Sequence, residues 1–307
     1  MPADSAPVLV TGATGKQGGA TVRALLLRGV PVRALVRDPA SERARAVAAL
    51  GVELVTGDLA DRASVVRAAQ GARAVFSVQM PPVTERGHDF DGELTQGINL
   101  IEGAKAAGVP QFVHTSVSAA DQHVETPGWD EGRWPLLEPY FAAKCAIQDA
   151  VRAAGFSRWT LLKPAFFMEN FLPSTAFLFP RGVAGGLVSV LNPGTRISLV
   201  AVDDIGRAAA AAIAEPERFH EVELELASDD LPMTEIAAVL SRALDTPVSA
   251  PDMTEAQALA AGMPPMGAAH EWLNVWSFAA RPQEARDLGI PVTRFEEWAR
   301  THLPENT

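Results

Sequence analysis

Two residues in the middle of the chain have side chains that together could deliver a proton. Tyr140 and Lys144 are four residues apart at the start of a helical pattern, so both project from one helix face. An ammonium beside a phenol lowers the pKa of the phenol and equips it to donate a proton to a carbonyl oxygen. Such a pair also arises by chance. Its position, after a fifth predicted strand and before a sixth, favours the catalytic interpretation.

Hydroxyl groups cluster where the fifth predicted strand ends, in the segment FVHTSVSAAD. Thr115, Ser116 and Ser118 lie at the carboxyl end of this strand, where one of them could bind a substrate carbonyl. The alternative is that they satisfy backbone groups at the strand end. We predict Ser116 as the catalytic hydroxyl, with the choice between Ser116 and Ser118 open. His114, inside the strand, is predicted to be packed.

The elements that must position these side chains begin with VLVTGATGKQGGATVRALLLRG. Val8–Val10 read as a buried strand, and Gly12, Gly15 and Gly18 follow at three-residue spacing before a helical pattern. Such glycines let the backbone approach a pyrophosphate, and the free N–H groups of the helix start bind it. We therefore predict a dinucleotide-binding turn that begins at Thr11. The alternative is a tight turn without a ligand.

The residue after the second predicted strand selects the coenzyme. Strand 31–36 ends in Arg37, where a dinucleotide site usually carries an acid that binds the adenosine ribose. A guanidinium pairs with a 2′-phosphate instead, and Lys16 could add a second cation, whereas Asp38 would repel the phosphate if it pointed inward. We therefore predict NADP(H) as the cofactor. An ordinary solvated arginine is the alternative.

Two further strand ends are predicted to contact the cofactor. After the third strand, Asp58 could accept a hydrogen bond from the adenine amino group while Leu59 packs on the ring, although Asp58 could instead cap the next helix. Asp61 is the better cap. After the fourth strand, the carboxyl edge of the sheet carries Val78, Gln79 and Met80. The polar loop that follows, 81–91, folds over the cofactor or merely connects two elements.

Strands and helices alternate through the first half of the chain, which predicts a doubly wound parallel sheet of the Rossmann type with a smaller C-terminal α+β lobe. The predicted strands are 8–11, 31–36, 52–56, 73–79, 110–115 and 158–163. We place a dinucleotide-binding domain at 1–164 and the smaller substrate or partner lobe at 165–307. The alanine-rich helix 203–214 is expected to return to the main sheet.

Composition limits the possible classes of protein. The 307 residues are 48% hydrophobic, enough for a full core, and the net charge of −11 argues against direct nucleic-acid binding. No apolar run reaches the roughly 20 residues of a membrane span, and the N-terminal MPADSAP lacks the features of an export signal. The lone Cys145 fits a reducing compartment. We expect a cytoplasmic protein, with no membrane association and no metal, since the histidines lack metal-ligand spacing.

Several segments together resemble one known family. TGATGKQGG, ALVRDP, the helix with Tyr140 and Lys144, KPAFFMENF and DLGIPVTRFEEWAR are similar to the NmrA-like family, an atypical branch of the short-chain dehydrogenase/reductases, over nearly the whole chain. The resemblance implies an NADP(H)-binding Rossmann domain. It implies that pyrophosphate is held by Gly12, Thr14, Gly15, Lys16, Gln17 and Gly18, and the 2′-phosphate by Arg37.

The resemblance also implies the roles of later residues. Lys144 would contact the nicotinamide ribose, the segment Pro164, Ala165 and Phe166 would lie beside the nicotinamide, and Phe167 with Asn170 would begin the substrate pocket. Many family members keep the lysine without a tyrosine four residues earlier, so the presence of both favours a competent reductase. The asparagine-containing helix motif of the extended reductases is not clearly present at 93–99.

Two functions follow from these features. The first is NADPH-dependent reduction of a quinone or other conjugated carbonyl compound by hydride transfer, with aromatic residues suited to a flat acceptor. The second is an NADP(H)-binding redox sensor that acts through a protein partner with little turnover. The family resemblance, the acidic composition and the segment WLNVWSF motivate the sensor. In that segment Trp272 and Trp276 are four apart, and this helical spacing makes them better candidates for the core.

Overall fold

The computed structural model describes residues 6–85 and 87–303, which divide into two compact units. Unit 1 comprises the described residues of Met1–Ala120, Pro139–Lys163 and Ile205–Leu224. Unit 2 comprises the described residues of Asp121–Glu138, Pro164–Asp204 and Glu225–Thr307. The chain thus leaves unit 1 after Lys163 and returns to it for one later stretch. That later stretch contains most of the helix predicted at 203–214.

Twelve strands form among the described residues. They are β1 (Val8–Val10), β2 (Val32–Val36), β3 (Glu53–Thr56), β4 (Ala74–Ser77), β5 (Val83–Thr84), β6 (Gly87–His88), β7 (Gln111–Thr115), β8 (Arg158–Pro164), β9 (Phe166–Phe167), β10 (Arg196–Val200), β11 (Val222–Leu226) and β12 (Asp229–Pro232). The six strands predicted from the sequence are β1, β2, β3, β4, β7 and β8. Most of their residues are apolar or β-branched, as is typical of parallel strands inside a sheet.

Helices alternate with the strands of unit 1, and further α-helices follow in unit 2. They are α1 (Lys16–Leu27), α2 (Glu42–Ala48), α3 (Arg62–Ala69), α4 (Phe90–Ala106), α5 (Glu138–Ala153), α6 (Val202–Ala214), α7 (Met233–Ala243), α8 (Glu255–Ala260), α9 (Pro282–Asp287) and α10 (Phe295–His302). The side chain of Asp61 accepts a hydrogen bond from the Ala63 amide and caps α3, as predicted. Within residues 6–85 and 87–303, every helix is too short or too polar to span a bilayer.

The main sheet has the order β11-β8-β7-β4-β1-β2-β3. The pairs β3–β2, β2–β1, β1–β4, β4–β7 and β7–β8 are all parallel. Successive strands run from β1 towards one edge and then, from β4, towards the other. The carboxyl ends of β1 and β4 therefore flank the point where strand order reverses, which is the usual ligand crevice of such sheets. The predicted doubly wound parallel sheet is confirmed.

The core of unit 1 lies between the sheet and its helices. Fully buried members include Leu9, Val75 and Phe112 from strands, and Leu100 and Ile147 from helices. The Phe112 and Phe156 rings stack at 4.7 Å between centroids. Burial of each such side chain contributes about 1.5–3 kcal/mol, which fixes the strand ends that carry the polar residues described below.

Unit 2 has a small sheet and an aromatic core of its own. β10 pairs antiparallel with β12 and parallel with β9. The rings of Phe171, Phe295 and Trp298 pack in sequence, with centroids 5.3 and 5.6 Å apart. Trp272 is buried in a 3₁₀ helix, Pro265–Asn274, and the half-buried Trp276 lies beyond its end, with its amide donating to the Trp272 carbonyl at 2.9 Å.

Candidate active site

The ends of β1 and β4 are joined through one hydroxyl group. Thr11 Oγ1 donates to the carbonyl of Val78 and accepts from the Val78 amide, each at 2.9 Å. Thr11 is fully buried. These bonds tie the residues that directly follow the two central strands, and so they fix the width of the crevice where strand order reverses.

The turn after β1 has room only for glycine at two positions. Gly12 has a φ of +61°, and a Cβ atom there would lie 2.6 Å from Val78 Cγ1. A Cβ at Gly18 would lie 2.2 Å from the Gly12 carbonyl oxygen. The first turn of α1 therefore packs against the backbone of the preceding loop. This close approach explains the predicted glycine spacing.

The first turn of α1 has backbone donors that no side chain caps. Its N-cap residue is Gly15, which supplies no capping side chain, and Thr14, Gly15 and Lys16 are exposed. Uncapped N–H groups at a helix N-terminus form an anion site. Gln17 differs from its neighbours, because its Oε1 accepts a hydrogen bond from Thr115 Oγ1 at 2.7 Å. The residues present thus fit the diphosphate of a dinucleotide, with Gln17 offering its backbone rather than its side chain.

Arg37 directly follows β2 and is exposed. Its guanidinium makes no hydrogen bond or ion pair with the residues that the structure describes, so it is available to a phosphate. Asp38 Oδ1 accepts from the Ala40 amide at 2.8 Å and is engaged in a local turn. The neighbouring carboxylate therefore has a structural partner of its own.

The loop after β3 is held by a residue that the sequence analysis gave no role. Asn99, on α4, donates from Nδ2 to the carbonyls of Leu59 and Ala60 at 2.9 and 3.2 Å. Asp58 is exposed, and its Oδ1 accepts from the Ala60 amide at 2.9 Å. Leu59 packs partly against the unit 1 core. The roles of Asp58 and Leu59 at adenine remain predictions, and Asn99 fixes the loop that carries both.

Polar side chains meet where β4 and β7 end. Ser77 Oγ lies 2.9 Å from His114 Nδ1 and accepts from Gln79 Nε2 at 2.8 Å. Burial, and then the positive charge of Lys144, lower the pKa of His114 to about 3, so this imidazole is neutral at pH 7. His114 is packed as predicted. Met80, in contrast, is largely exposed.

The predicted catalytic serine is tied to α5. Ser116 Oγ accepts a hydrogen bond from Gln148 Nε2 at 2.9 Å, and both side chains are buried. Ser118 is also fully buried. The bond from Gln148 leaves the Ser116 hydroxyl hydrogen free to be donated elsewhere. The catalytic role of Ser116 remains a prediction.

Tyr140 and Lys144 lie one turn apart on α5, with the ammonium nitrogen 5.7 Å from the phenol ring centroid. Lys144 Nζ also forms a 2.6 Å ion pair with Glu93 Oε1, and the Glu93 side chain is completely buried. Burial, and then the charge of Glu93, raise the pKa of Tyr140 above its ordinary value. The expected lowering of the Tyr140 pKa is therefore wrong, because burial disfavours the phenolate and the Glu93 carboxylate adds to that effect.

The half-buried Tyr140 packs its ring against two aromatic rings, while its hydroxyl group is available to bind a ligand. Phe90 and Phe141 contact its ring edge-to-face, with centroids 5.8 and 5.2 Å away. The phenol oxygen makes no hydrogen bond within residues 6–85 and 87–303. A phenol that stays protonated and lacks a partner can donate a proton to a bound acceptor.

The remaining predicted residues belong to unit 2. Pro164, Ala165 and Phe166 are buried, whereas Phe167 and Asn170 are half-buried. The Ala165 amide donates to the Leu226 carbonyl at 3.0 Å. Their contacts with nicotinamide or substrate remain predictions.

His270, which the sequence analysis considered only as a metal ligand, contacts this segment. The His270 ring lies edge-to-face against Phe166 and Phe177, with centroids 5.2 and 5.6 Å away. Burial lowers the pKa of His270 to about 4, so it is neutral at pH 7. The apolar pattern around Phe166 gave no sign of this partner, since His270 is far away in sequence.

A doubly wound parallel sheet with a glycine turn at the point of strand reversal defines the Rossmann class of dinucleotide-binding folds. The model of the NmrA-like family matches residues 4–288. The chain belongs to the NmrA-like family.

Similar proteins of known name include two enzymes. NAD(P)H azoreductase of Xenophilus azovorans is 30% identical, over 96% of this chain and 97% of its own length. Quinone oxidoreductase 2 of Escherichia coli K12 is 29% identical, over 83% of this chain and 80% of its own length. Both names agree with the predicted oxidoreductase.

A solved structure agrees with the fold. Triphenylmethane reductase of a Citrobacter species, complexed with NADP(H), has a TM-score of 0.79 at 22% identity and covers 97% of this chain and 100% of its own. The predictions of family and of fold class are confirmed.

Proposed function

We propose that the protein is an NADPH-dependent reductase that transfers hydride to a quinone or another conjugated carbonyl compound. The observation that carries the proposal is Tyr140, a half-buried phenol with no hydrogen-bond partner among the described residues, one helical turn from Lys144. Family membership and the relatives named azoreductase and quinone oxidoreductase support a conjugated acceptor.

Residues of unit 1 would hold the coenzyme. The uncapped amides at the start of α1 would bind the diphosphate, Arg37 would pair with the 2′-phosphate, and Lys144 would contact the nicotinamide ribose. When bound, the reduced nicotinamide supplies a hydride. The family resemblance assigns Pro164, Ala165 and Phe166 to the nicotinamide and Phe167 with Asn170 to the substrate.

Tyr140 would complete the reduction as general acid. As the conjugated acceptor gains hydride, negative charge develops on its oxygen, and the phenol donates a proton to that atom. The acceptor is thereby reduced by two electrons and gains one proton from Tyr140, which water then reprotonates. Ser116 would donate its free hydroxyl hydrogen to the same oxygen.

The test is NADPH oxidation with a panel of quinones and α,β-unsaturated ketones. We expect acceptor-dependent oxidation by the wild type. We expect Tyr140→Phe to lower kcat on the ketones by about 10²–10⁴-fold, the usual contribution of a general acid, with a smaller loss on quinones. Lys144→Met should weaken NADPH binding as well, whereas Lys105→Met, which alters a lysine bonded to the Gly155 carbonyl, should match wild type.

Two outcomes would overturn the proposal. One is a Tyr140→Phe enzyme that reduces the ketones at the wild-type rate, since the proton would then come from elsewhere. The other is a wild type that binds NADPH in calorimetry but does not oxidise it in the presence of any acceptor of the panel. In that case, capture of a protein partner that depends on the NADP⁺/NADPH ratio would favour the redox sensor.

A further inference from the structure

Glu93 is an unusual residue to bury at the start of a helix. Its side chain is 0% exposed, and one carboxylate oxygen pairs with Lys144 at 2.6 Å. The other oxygen, Oε2, is buried and makes no hydrogen bond within the described part of the chain. A buried ion pair contributes little net stability, and an unsatisfied buried oxygen costs stability. Packing alone therefore gives no reason for a carboxylate at this position.

The charges around Tyr140 give a reason. Lys144 approaches the phenol from its own helix, α5, and Glu93 approaches from α4. His114, on β7, is close enough to Lys144 to feel its charge but is itself neutral at pH 7. The rings of Phe90 and Phe141 complete the surroundings without charge. Among the described residues of this group, the only full charges are thus one ammonium and one carboxylate, which pair with each other at 2.6 Å.

We propose that Glu93 is a positioning residue that holds the Lys144 ammonium and reserves Tyr140 for proton donation. The inference rests on the proposed function, in which Tyr140 is the acid. With Glu93 in place, Lys144 does not act as the counterion of a phenolate, so the phenol stays protonated at alkaline pH. A site of this kind favours reduction, because alcohol oxidation needs the phenolate as base.

The chain provides a direct probe of this arrangement, because Tyr140 is its only tyrosine. Tyrosinate absorbance in the near ultraviolet therefore reports the titration of one identified group. We expect wild-type Tyr140 to titrate above the ordinary tyrosine value of about 10. In Glu93→Gln, which keeps the shape but removes the charge, the midpoint should fall by about 1–3 pH units, the usual effect of a nearby ammonium on an acid.

Glu102→Gln is the matched control. It lies on the same helix, and its exposed carboxylate pairs with Arg62 instead. We expect its tyrosinate titration to match wild type. In the reductase assay, the kcat of Glu93→Gln should fall as the pH rises, and the midpoint of this fall should equal the midpoint of its tyrosinate titration. The kcat of wild type and of Glu102→Gln should stay constant over the same pH range.

A folded Glu93→Gln protein that titrates like Glu102→Gln would overturn the inference. If Glu93→Gln does not fold, the wild type decides the question: a tyrosinate midpoint at or below about 10 would show that Lys144 is not neutralised. The titration needs no turnover, so the two proposals fail separately. If the titrations are as expected but NADPH is not oxidised, only the proposed function is contradicted. If Glu93→Gln is active but its tyrosinate titration is unshifted from wild type, only the role of Glu93 is contradicted.

Discussion

Thr11 Oγ1 is joined to the backbone of Val78 by two hydrogen bonds of 2.9 Å, one donated to the carbonyl and one accepted from the amide. The two residues lie 67 positions apart in sequence and directly follow the central strands β1 and β4. A single buried hydroxyl therefore fixes the crevice in which the coenzyme is proposed to bind. It satisfies two backbone groups that would otherwise be buried without partners.

Removal of this hydroxyl should affect both stability and coenzyme binding. Thr11→Val keeps the side-chain shape but leaves the Val78 amide and carbonyl unpaired, which should cost about 1–3 kcal/mol of unfolding free energy. Urea denaturation measures the loss, and calorimetry with NADPH should show weaker binding. Thr11→Ser retains the hydroxyl and should lose less than Thr11→Val in both measurements. Equal stability of the valine variant and wild type would show that the bonds contribute nothing.

A methyl group at Gly18 should disturb the turn that binds the diphosphate. Its Cβ would lie 2.2 Å from the Gly12 carbonyl oxygen and 2.6 Å from that of Thr11, so the backbone must move. We expect Gly18→Ala to weaken NADPH binding by at least about tenfold, or 1.4 kcal/mol. At Gly194 an added methyl meets open space, and Gly194→Ala should bind like wild type. Unchanged affinity of Gly18→Ala would argue against this turn as the binding site.

Arg37 should determine the preference between coenzymes. Arg37→Gln removes a charge-assisted contact with the 2′-phosphate, worth about 1.5–3 kcal/mol, and should weaken NADPH binding by roughly 10–150-fold. NADH lacks that phosphate, so its dissociation constant should stay unchanged. Calorimetry with both coenzymes gives the ratio of the NADH and NADPH dissociation constants. The control Arg300→Gln, at an exposed arginine of α10, should leave this ratio unaltered. Equal weakening of both coenzymes would contradict selection by Arg37.

Glu223 should make stability depend on pH in the acidic range. Hydrogen bonds from Arg152, and then from Lys163, lower the pKa of Glu223, with nitrogen–oxygen distances of 2.6–2.7 Å. A carboxyl whose folded pKa is depressed stabilises the fold above the unfolded value of about 4.3, and this contribution is lost as pH falls through the lower folded pKa. We expect Glu223→Gln to have a lower free energy of unfolding than wild type at pH 7. This difference, the stability gap, should disappear below about pH 4.

Chemical denaturation across this pH range measures the gap. Glu217, which is 77% exposed and pairs with Arg158, provides the control. Glu217→Gln should change stability by less than about 1 kcal/mol at any pH, as exposed pairs do. A gap for Glu223→Gln that stays constant from neutral to acidic pH would show that its carboxylate is not the origin of the effect.

The sequence predicted most elements because their signals are local. The second strand was expected at 31–36 and is Val32–Val36, since a run of apolar and β-branched residues between polar turns specifies a buried strand. The cap at Asp61 needed only its place before a helical pattern. The hairpin of β5 and β6 went unpredicted, because its residues are exposed and carry no periodicity that a core would impose.

The candidate site likewise combines residues that local spacing could pair with residues that only the fold brings together. Tyr140 and Lys144 could be paired from their spacing, but Glu93 lies 51 positions from Lys144, and no local pattern connects them. The expected direction of the Tyr140 pKa shift was wrong, because a prediction from one helix omits the burial of the phenol in the fold and, after it, the charge that Glu93 contributes from a second helix. Asn99, which fixes the loop at Leu59, was missed for the same reason.

The sequence by itself determined the parallel sheet, the glycine turn and the helix that carries the tyrosine and lysine, because these depend on periodicity, backbone freedom and spacing between near neighbours. Only the tertiary structure decided which charges face each other and which polar atoms are buried. Those properties depend on distances across the fold, and electrostatic energy varies with distance and burial rather than with separation along the chain.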